Sequence, residues 1–215
     1  MSFGYLGDTS TKVKQKVKNQ GVISVSENYE LEKQGFLGGK LELIQSQTAS
    51  GSGLNMDFTN IKETEYKTHL LIITGLFFSA ANKLPRFRFT NDGGSTFEAA
   101  NYSFAYKQGA AGTFSENKNN GQAQIDLMPN VGTELTETGS AYVYMYNLGN
   151  ASVFSSINMH TVSMDNAGST HNFTWGCGMY EVAEAVNGFR IFESTTTGNI
   201  TGQFDLYGVK QVWVH

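Results

Sequence analysis

The fold class is predicted from a stretch that reads Val186-Asn-Gly-Phe-Arg-Ile-Phe-Glu-Ser194, then Thr195-Thr-Thr-Gly-Asn199, then Ile200-Thr-Gly-Gln-Phe-Asp-Leu-Tyr-Gly-Val209. Apolar residues alternate with polar ones on both sides of a Gly-Asn break, which is the pattern of a β-hairpin. The alternation predicts that the hairpin closes a β-domain and exposes its tip at residues 195–199. It places four side chains in the core: Phe189, Ile191, Phe204 and Leu206.

Similar short segments recur upstream of this pair. The longest apolar run, Tyr66–Phe78, predicts a strand that is buried on both faces. Polar, glycine-containing stretches at Ser46–Leu54 and Gly109–Gly121 are predicted loops. Ten to twelve short strands without a long helix predict an all-β fold, a jelly-roll-like antiparallel β-sandwich over residues 22–215.

The amino-acid composition argues against some classes of binding partner. Charged residues make up 16% of the 215-residue chain, against about 25% in an average globular domain. The net charge is −4, and a nucleic-acid-binding domain would show a basic face instead, so no nucleic-acid partner is predicted. Cys177 is the only cysteine, which excludes an intramolecular disulfide, and its apolar neighbours predict that it lies in the core.

Residues 1–21 are predicted to form an extended N-terminal arm. They carry alternating lysines at positions Lys12, Lys14, Lys16 and Lys18. The arm either docks on an acidic neighbour or is a solvated edge element, because lysine commonly protects exposed strand edges. The arm contains no apolar signal segment, and no run in the chain is long enough to span a bilayer, so we expect synthesis in the cytoplasm without membrane insertion.

Residues with catalytic or metal-binding chemistry are scattered. His160 and His171 form a weak candidate metal pair, and Glu134 with Glu137 a weak candidate glycosidase pair. The stretches Asn91-Asp92-Gly93 and Asp165-Asn166 could bind Ca²⁺, but both are also ordinary turn sequences. We therefore predict no cofactor, no metal and no catalytic residue.

Aromatic residues provide the one candidate binding surface. Tyr142, Tyr144 and Tyr146 alternate along one predicted strand, and the tryptophans Trp175 and Trp213 lie further on. Such rings could stack on sugars, or they could pack in the core or at an interface between subunits, where aromatic residues are enriched.

Several motifs make the chain resemble the virion structural proteins of tailed bacteriophages, especially those of marine hosts such as cyanophages. These motifs are Gly4-Tyr-Leu-Gly7, Gly38-Gly-Lys-Leu-Glu-Leu-Ile44, Tyr66-Lys-Thr-His-Leu-Leu-Ile-Ile73, Arg86-Phe-Arg-Phe-Thr-Asn-Asp-Gly-Gly94, Met179-Tyr-Glu181, Val186-Asn-Gly-Phe-Arg-Ile191 and Gly202-Gln-Phe-Asp-Leu-Tyr-Gly208. The resemblance implies a non-enzymatic tail-fibre, head-fibre or capsid-decoration subunit in the virion.

The same resemblance implies the partners. A subunit of this kind contacts other virion proteins and forms a homo-oligomer, with a trimer expected. The alternative it leaves open is a tail-fibre module that recognises a carbohydrate on the host surface.

Overall fold

The computed structural model describes residues 41–165, 170–193 and 197–210, and all of them except Lys210 belong to one compact unit, Leu41–Val209. These residues contain twelve strands and no helix. The strands are β1 (Leu41–Gly53), β2 (Asn55–Thr59), β3 (Thr68–Phe78), β4 (Arg86–Thr90), β5 (Tyr102–Ala110), β6 (Thr113–Gln122), β7 (Ile125–Asp126), β8 (Gly139–Tyr146), β9 (Ser155–Met164), β10 (His171–Tyr180), β11 (Gly188–Phe192) and β12 (Ile200–Val209).

The strands form two antiparallel sheets. The larger sheet has the order β1-β12-β3-β8-β9-β10-β5-β6, and the smaller has the order β2-β11-β4-β7. The predicted all-β antiparallel sandwich is therefore confirmed. Two hairpins, β5–β6 and β9–β10, extend the larger sheet beyond the width of the smaller one. The predicted border of the arm, at residues 21 and 22, lies outside the described residues.

One apolar core fills the space between the sheets. Its centre is a stack of phenylalanines from the smaller sheet: the Phe189 ring centroid lies 4.8 Å from that of Phe58 and 5.2 Å from that of Phe87. All three side chains are fully buried, and the larger sheet contributes apolar side chains from its inner face. The predicted burial of Phe189, Ile191, Phe204 and Leu206 is confirmed.

The predicted closing hairpin is wrong. β11 pairs with β2 and β4 in the smaller sheet, whereas β12 pairs with β1 and β3 in the larger one. The chain therefore crosses from one sheet to the other after Phe192 instead of turning back on itself. Both strands still direct their apolar side chains into the shared core, which is why the alternation predicted burial correctly and pairing incorrectly.

Two predicted loops are strands. Ser46–Leu54 lies mostly within β1, and Gly109–Gly121 mostly within the β5–β6 hairpin. Among the described strands, β1 and β6 lie at the two edges of the larger sheet, where polar side chains are tolerated on both faces. The strand predicted from Tyr66–Phe78 is confirmed as β3, but Thr74 on its outer face is exposed, so the strand is not buried on both faces throughout.

Glutamine side chains close the sandwich at the β1 edge. The Gln47 amide donates a hydrogen bond to the Asp57 carbonyl at 3.0 Å, and the Gln45 amide donates one to the Thr59 carbonyl. Both acceptors belong to β2, which is an edge strand of the smaller sheet and has no strand partner on that side among the described residues. The amides therefore satisfy backbone groups that would otherwise be unpaired.

His69 is a buried histidine whose ionisation should destabilise the fold. Its Nε2 atom donates to the Ile61 carbonyl at 2.9 Å, and burial lowers its pKa. Because the folded state prefers the neutral ring, the stabilisation is present above the unfolded pKa of about 6.5 and is lost as the pH falls through the lower folded value.

We expect the free energy of unfolding to fall between pH 7.5 and pH 5, and His69→Gln to flatten that fall. Urea denaturation at both pH values measures it, with the exposed His171→Gln as the matched control. Equal pH dependence in the wild type and His69→Gln would contradict the assignment.

Four tyrosines should resist ionisation. Burial, together with a hydrogen bond to Glu42, raises the pKa of Tyr66 to about 12. Burial also raises the pKa values of Tyr102, Tyr106 and Tyr180. Because the folded state retains these protons, its stability is full below the unfolded pKa of about 10 and declines as the pH rises from there.

In an alkaline titration we expect at least four of the ten tyrosines to form tyrosinate only as β-structure is lost. Absorbance and circular dichroism followed together measure this. Ionisation of all ten before any loss of structure would refute it.

Candidate binding face

The outer face of the larger sheet carries an unbroken row of side chains across all eight strands. Strand register places Tyr142 opposite His160, and His160 opposite Trp175. The full row is Ser46, Asp205, Ile72, Tyr142, His160, Trp175, Lys107 and Glu116. The centre of this row is aromatic, and its ends are polar or charged.

Large apolar side chains are exposed on this face. The exposed fraction is 57% for Val162, 44% for Tyr142, 41% for Phe173 and 39% for Trp175. Their neighbours along each strand point inward and, except for the half-buried Gly176, are buried. The inward neighbours of Val162 and Phe173 are polar, so at this part of the sheet the apolar side chains are the outward ones. A contiguous apolar surface of this kind indicates a site of interaction.

The aromatic side chains of β10 lie next to one from β6. The rings of Phe173 and Trp175 are nearly parallel with centroids 5.4 Å apart, and the Phe114 ring meets that of Phe173 edge-on at 5.8 Å. Phe173 leans over Gly109 of the neighbouring strand, where a Cβ atom would overlap its ring. Gly109 therefore gives the Phe173 ring room to lie over β5, away from β9.

The tyrosines of β8 form a second aromatic line. Tyr144 stacks on Tyr146 with ring centroids 6.4 Å apart, and Tyr142 meets Tyr144 edge-on at 6.2 Å. The Tyr142 hydroxyl lies 2.6 Å from His160 Nδ1, a hydrogen bond that connects this line to β9.

A groove runs between these two lines. β9 lies between β8 and β10, and its outward side chains are smaller and more polar than those beside it. We define the β9 groove by its floor of Asn158, His160 and Val162 and its aromatic walls, namely Tyr142 and Tyr144 on β8 and Phe173 and Trp175 on β10. It consists of two adjoining open depressions of about 540 Å³ and 400 Å³.

Hydrogen-bonding groups in the groove are available to a ligand. Among the described residues, neither the Asn158 amide nor the Trp175 indole N–H has a hydrogen-bond partner, and His160 uses only its Nδ1 atom. The groove therefore combines aromatic surface with unused donors and acceptors, which is the composition of a site that orients a ligand.

Some of the aromatic residues that were predicted to form a binding surface lie on this outer face. Tyr142 is exposed there, Tyr144 and Tyr146 are half-buried beside it, and Trp175 faces them across β9. Lys12, Lys14, Lys16, Lys18 and Trp213 lie outside the described residues.

The prediction that Cys177 lies in the core is wrong, because its side chain is exposed in the β9 groove. The strand alternates as expected, but the glycines Gly176 and Gly178 occupy its inward positions. The core position of Cys177 was predicted from its apolar neighbours Trp175 and Met179, but both of those side chains face outward as well.

No protein-family model matches the chain, and no curated protein matches its sequence. Within residues 41–165, 170–193 and 197–210 no helix is long and apolar enough to cross a membrane. The same residues hold no group of three or more side chains suited to a metal.

Neither the candidate metal pair nor the candidate carboxylate pair is arranged as a site. His160 and His171 lie on adjacent strands, but His171 pairs with Met164 and not with His160. Glu137 accepts a hydrogen bond from the Thr133 backbone N–H at 3.1 Å within its loop.

Asp92 acts within its own turn. Its carboxylate accepts hydrogen bonds from the Thr96 backbone at 2.9 Å and from the hydroxyls of Thr96 and Thr90. These bonds lower its pKa to about 2 and leave the carboxylate engaged in holding the turn.

Proposed function

We propose that this chain is a non-enzymatic structural subunit carried on the surface of a tailed-phage particle, as part of a fibre or a capsid decoration. The observation that carries the proposal is the broad outer face of the larger sheet, with its continuous band of exposed aromatic side chains. An exposed band of this size is suited to binding.

The strand order adds support. If the β5–β6 and β9–β10 hairpins are set aside, eight strands remain, and their two sheets have the orders first-eighth-third-sixth and second-seventh-fourth-fifth. We infer that this arrangement is a jelly roll with two hairpin insertions. Jelly rolls occur in viral capsid proteins and in lectins, both of which act by binding.

In the assembled particle we expect the chain to contact other virion proteins and to form a homo-oligomer, with a trimer favoured. Closed symmetric oligomers are the common state of such subunits. Within the particle, residues 1–21 would serve as the attachment arm and the sandwich would face outward.

The proposal is tested on particles produced from the genome that encodes the chain. Peptide mass spectrometry of purified particles should find the chain in several copies per particle, and antibodies against the sandwich should label intact particles. A chain that is present in the lysate but absent from purified particles would overturn the proposal.

A second function, recognition of a host-surface carbohydrate, is favoured by one observation. The β9 groove places unused hydrogen-bonding groups between aromatic walls. A contact between protein subunits would not need that mixture.

A further inference from the structure

We propose that the β9 groove binds a linear, uncharged glycan that lies along β9 between the tyrosines of β8 and the aromatic rings of β10. The inference rests on the proposed function, because it assumes that the outer face of the larger sheet is exposed on the particle and binds a partner there. It adds a site, its residues and the class of ligand.

The dimensions of the groove suit an extended chain. Its walls stand two strand spacings apart, which is about 10 Å between the backbones of β8 and β10. The floor from Asn158 to Val162 covers four residue steps of strand, or about 13 Å. The His160 ring packs against the Tyr142 ring with centroids 4.9 Å apart and borders both depressions. A floor longer than one sugar ring, with a depression on each side of His160, favours an oligosaccharide over a monosaccharide.

The chemistry of the groove matches the two kinds of surface that a sugar presents. The C–H faces of a sugar ring carry slight positive charge and complement the negative faces of aromatic rings such as Trp175 and Tyr142. Its hydroxyl groups can bind the Asn158 amide, the Trp175 indole N–H and His160 Nε2. Each group would then exchange water for a ligand hydrogen bond.

The charge of the lining favours an uncharged ligand. The described residues that line the two depressions include no lysine, arginine, aspartate or glutamate. The nearest charged pair in the same row is Lys107 with Glu116, whose nitrogen and oxygen atoms lie 3.4 Å apart. Among the described lining residues, an anionic polysaccharide would find no cation to bind it.

A second copy of the chain fits this groove less well. A contact between copies would remove water from the polar floor, and Asn158 and the Trp175 indole would need partners with the right geometry on the other copy. The glycan explains why Asn158 and His160 place polar groups in the floor of an otherwise apolar surface.

Binding is tested with the full-length chain in its native oligomer. The probe is an array of uncharged linear oligosaccharides from bacterial surface polysaccharides, and affinities for the best of them are measured by calorimetry. We expect Trp175→Ala to weaken binding by about five- to tenfold through lost stacking. Asn158→Ala should weaken it by about fivefold through a lost hydrogen bond.

The matched control is Phe154→Ala, which removes an exposed aromatic side chain outside the groove. It should leave the affinity unchanged. All variants are first compared with the wild type by circular dichroism and thermal unfolding, and Asn158→Ala, an exposed change, keeps the test valid if Trp175→Ala does not fold.

Absence of binding to every oligosaccharide, or equal affinity in the wild type, Trp175→Ala and Asn158→Ala, would overturn the inference. So would thiol-labelling or hydrogen-exchange data that place the groove inside the native oligomer. If the chain is nevertheless found in purified particles, the structural role stands and only the glycan site fails.

Discussion

Replacing Phe189 with alanine should lower the free energy of unfolding by about 3–5 kcal/mol, the usual cost of removing a buried phenylalanine. Phe189 stacks between Phe58 and Phe87, and all three rings are fully buried between the sheets. The cavity would open at the centre of the smaller sheet, where strand pairing on both sides of β11 limits collapse.

Urea denaturation, followed by circular dichroism, measures the loss. Phe154→Ala is the matched control, since Phe154 is 43% exposed in a loop and its truncation should change stability by less than about 0.5 kcal/mol. A loss below about 1 kcal/mol for Phe189→Ala would mean that this stack is not the centre of the core.

Replacing Gly176 with alanine should destabilise the fold by about 3 kcal/mol and disrupt the groove from below. Gly176 points inward from β10, and a Cβ atom there would overlap the Ala105 carbonyl oxygen and lie 2.7 Å from Tyr106 Cα. These obstacles are backbone atoms of the paired strand β5, so relief requires β5 and β10 to separate.

Gly53→Ala is the matched control, because a Cβ atom at Gly53 meets only the Asn55 carbonyl oxygen at 3.8 Å. It should leave stability unchanged or raise it by about 0.5 kcal/mol, through lower entropy of the unfolded chain. Thermal unfolding compares the two variants. Equal melting temperatures would show that β10 tolerates a side chain at Gly176 and would contradict the packing described here.

The alternation of apolar residues predicted which side chains of the final strands are buried. Phe189 and Ile191 face the core from one sheet, and Phe204 and Leu206 face it from the other. The alternation predicts which side chains of a strand face the core, but it does not predict which other strands that strand pairs with. A turn sequence between two strands therefore predicted a hairpin where the chain crosses between sheets.

The direction of the β10 side chains could not be predicted from the same pattern. Apart from the buried Tyr180, the apolar side chains of β10 are Phe173, Trp175, Cys177 and Met179, and apolar residues are normally the buried ones. Here inward space is restricted by Tyr106 and Ile125, so only glycine fits at positions 176 and 178. The large side chains consequently face outward.

The aromatic residues of the candidate site were recognisable in the sequence, but the groove was not. Tyr142, Tyr144 and Trp175 are conspicuous because they alternate with smaller residues. The groove also needs β9 to lie between β8 and β10, and needs the register that sets His160 between Tyr142 and Trp175. Both depend on pairing between strands, which the spacing of residues along the chain does not specify.

We propose that the outer face of the larger sheet is an open binding surface in the native protein. Cys177 is exposed in the β9 groove and is the only cysteine of the chain, so its thiol reports on that surface directly. The decisive measurement is the rate at which a thiol reagent modifies the native full-length oligomer. We predict a rate comparable to that of the urea-unfolded chain, with protection when an oligosaccharide is bound. A thiol that reacts only after unfolding would show that the face is covered in the native protein, and would contradict the claim.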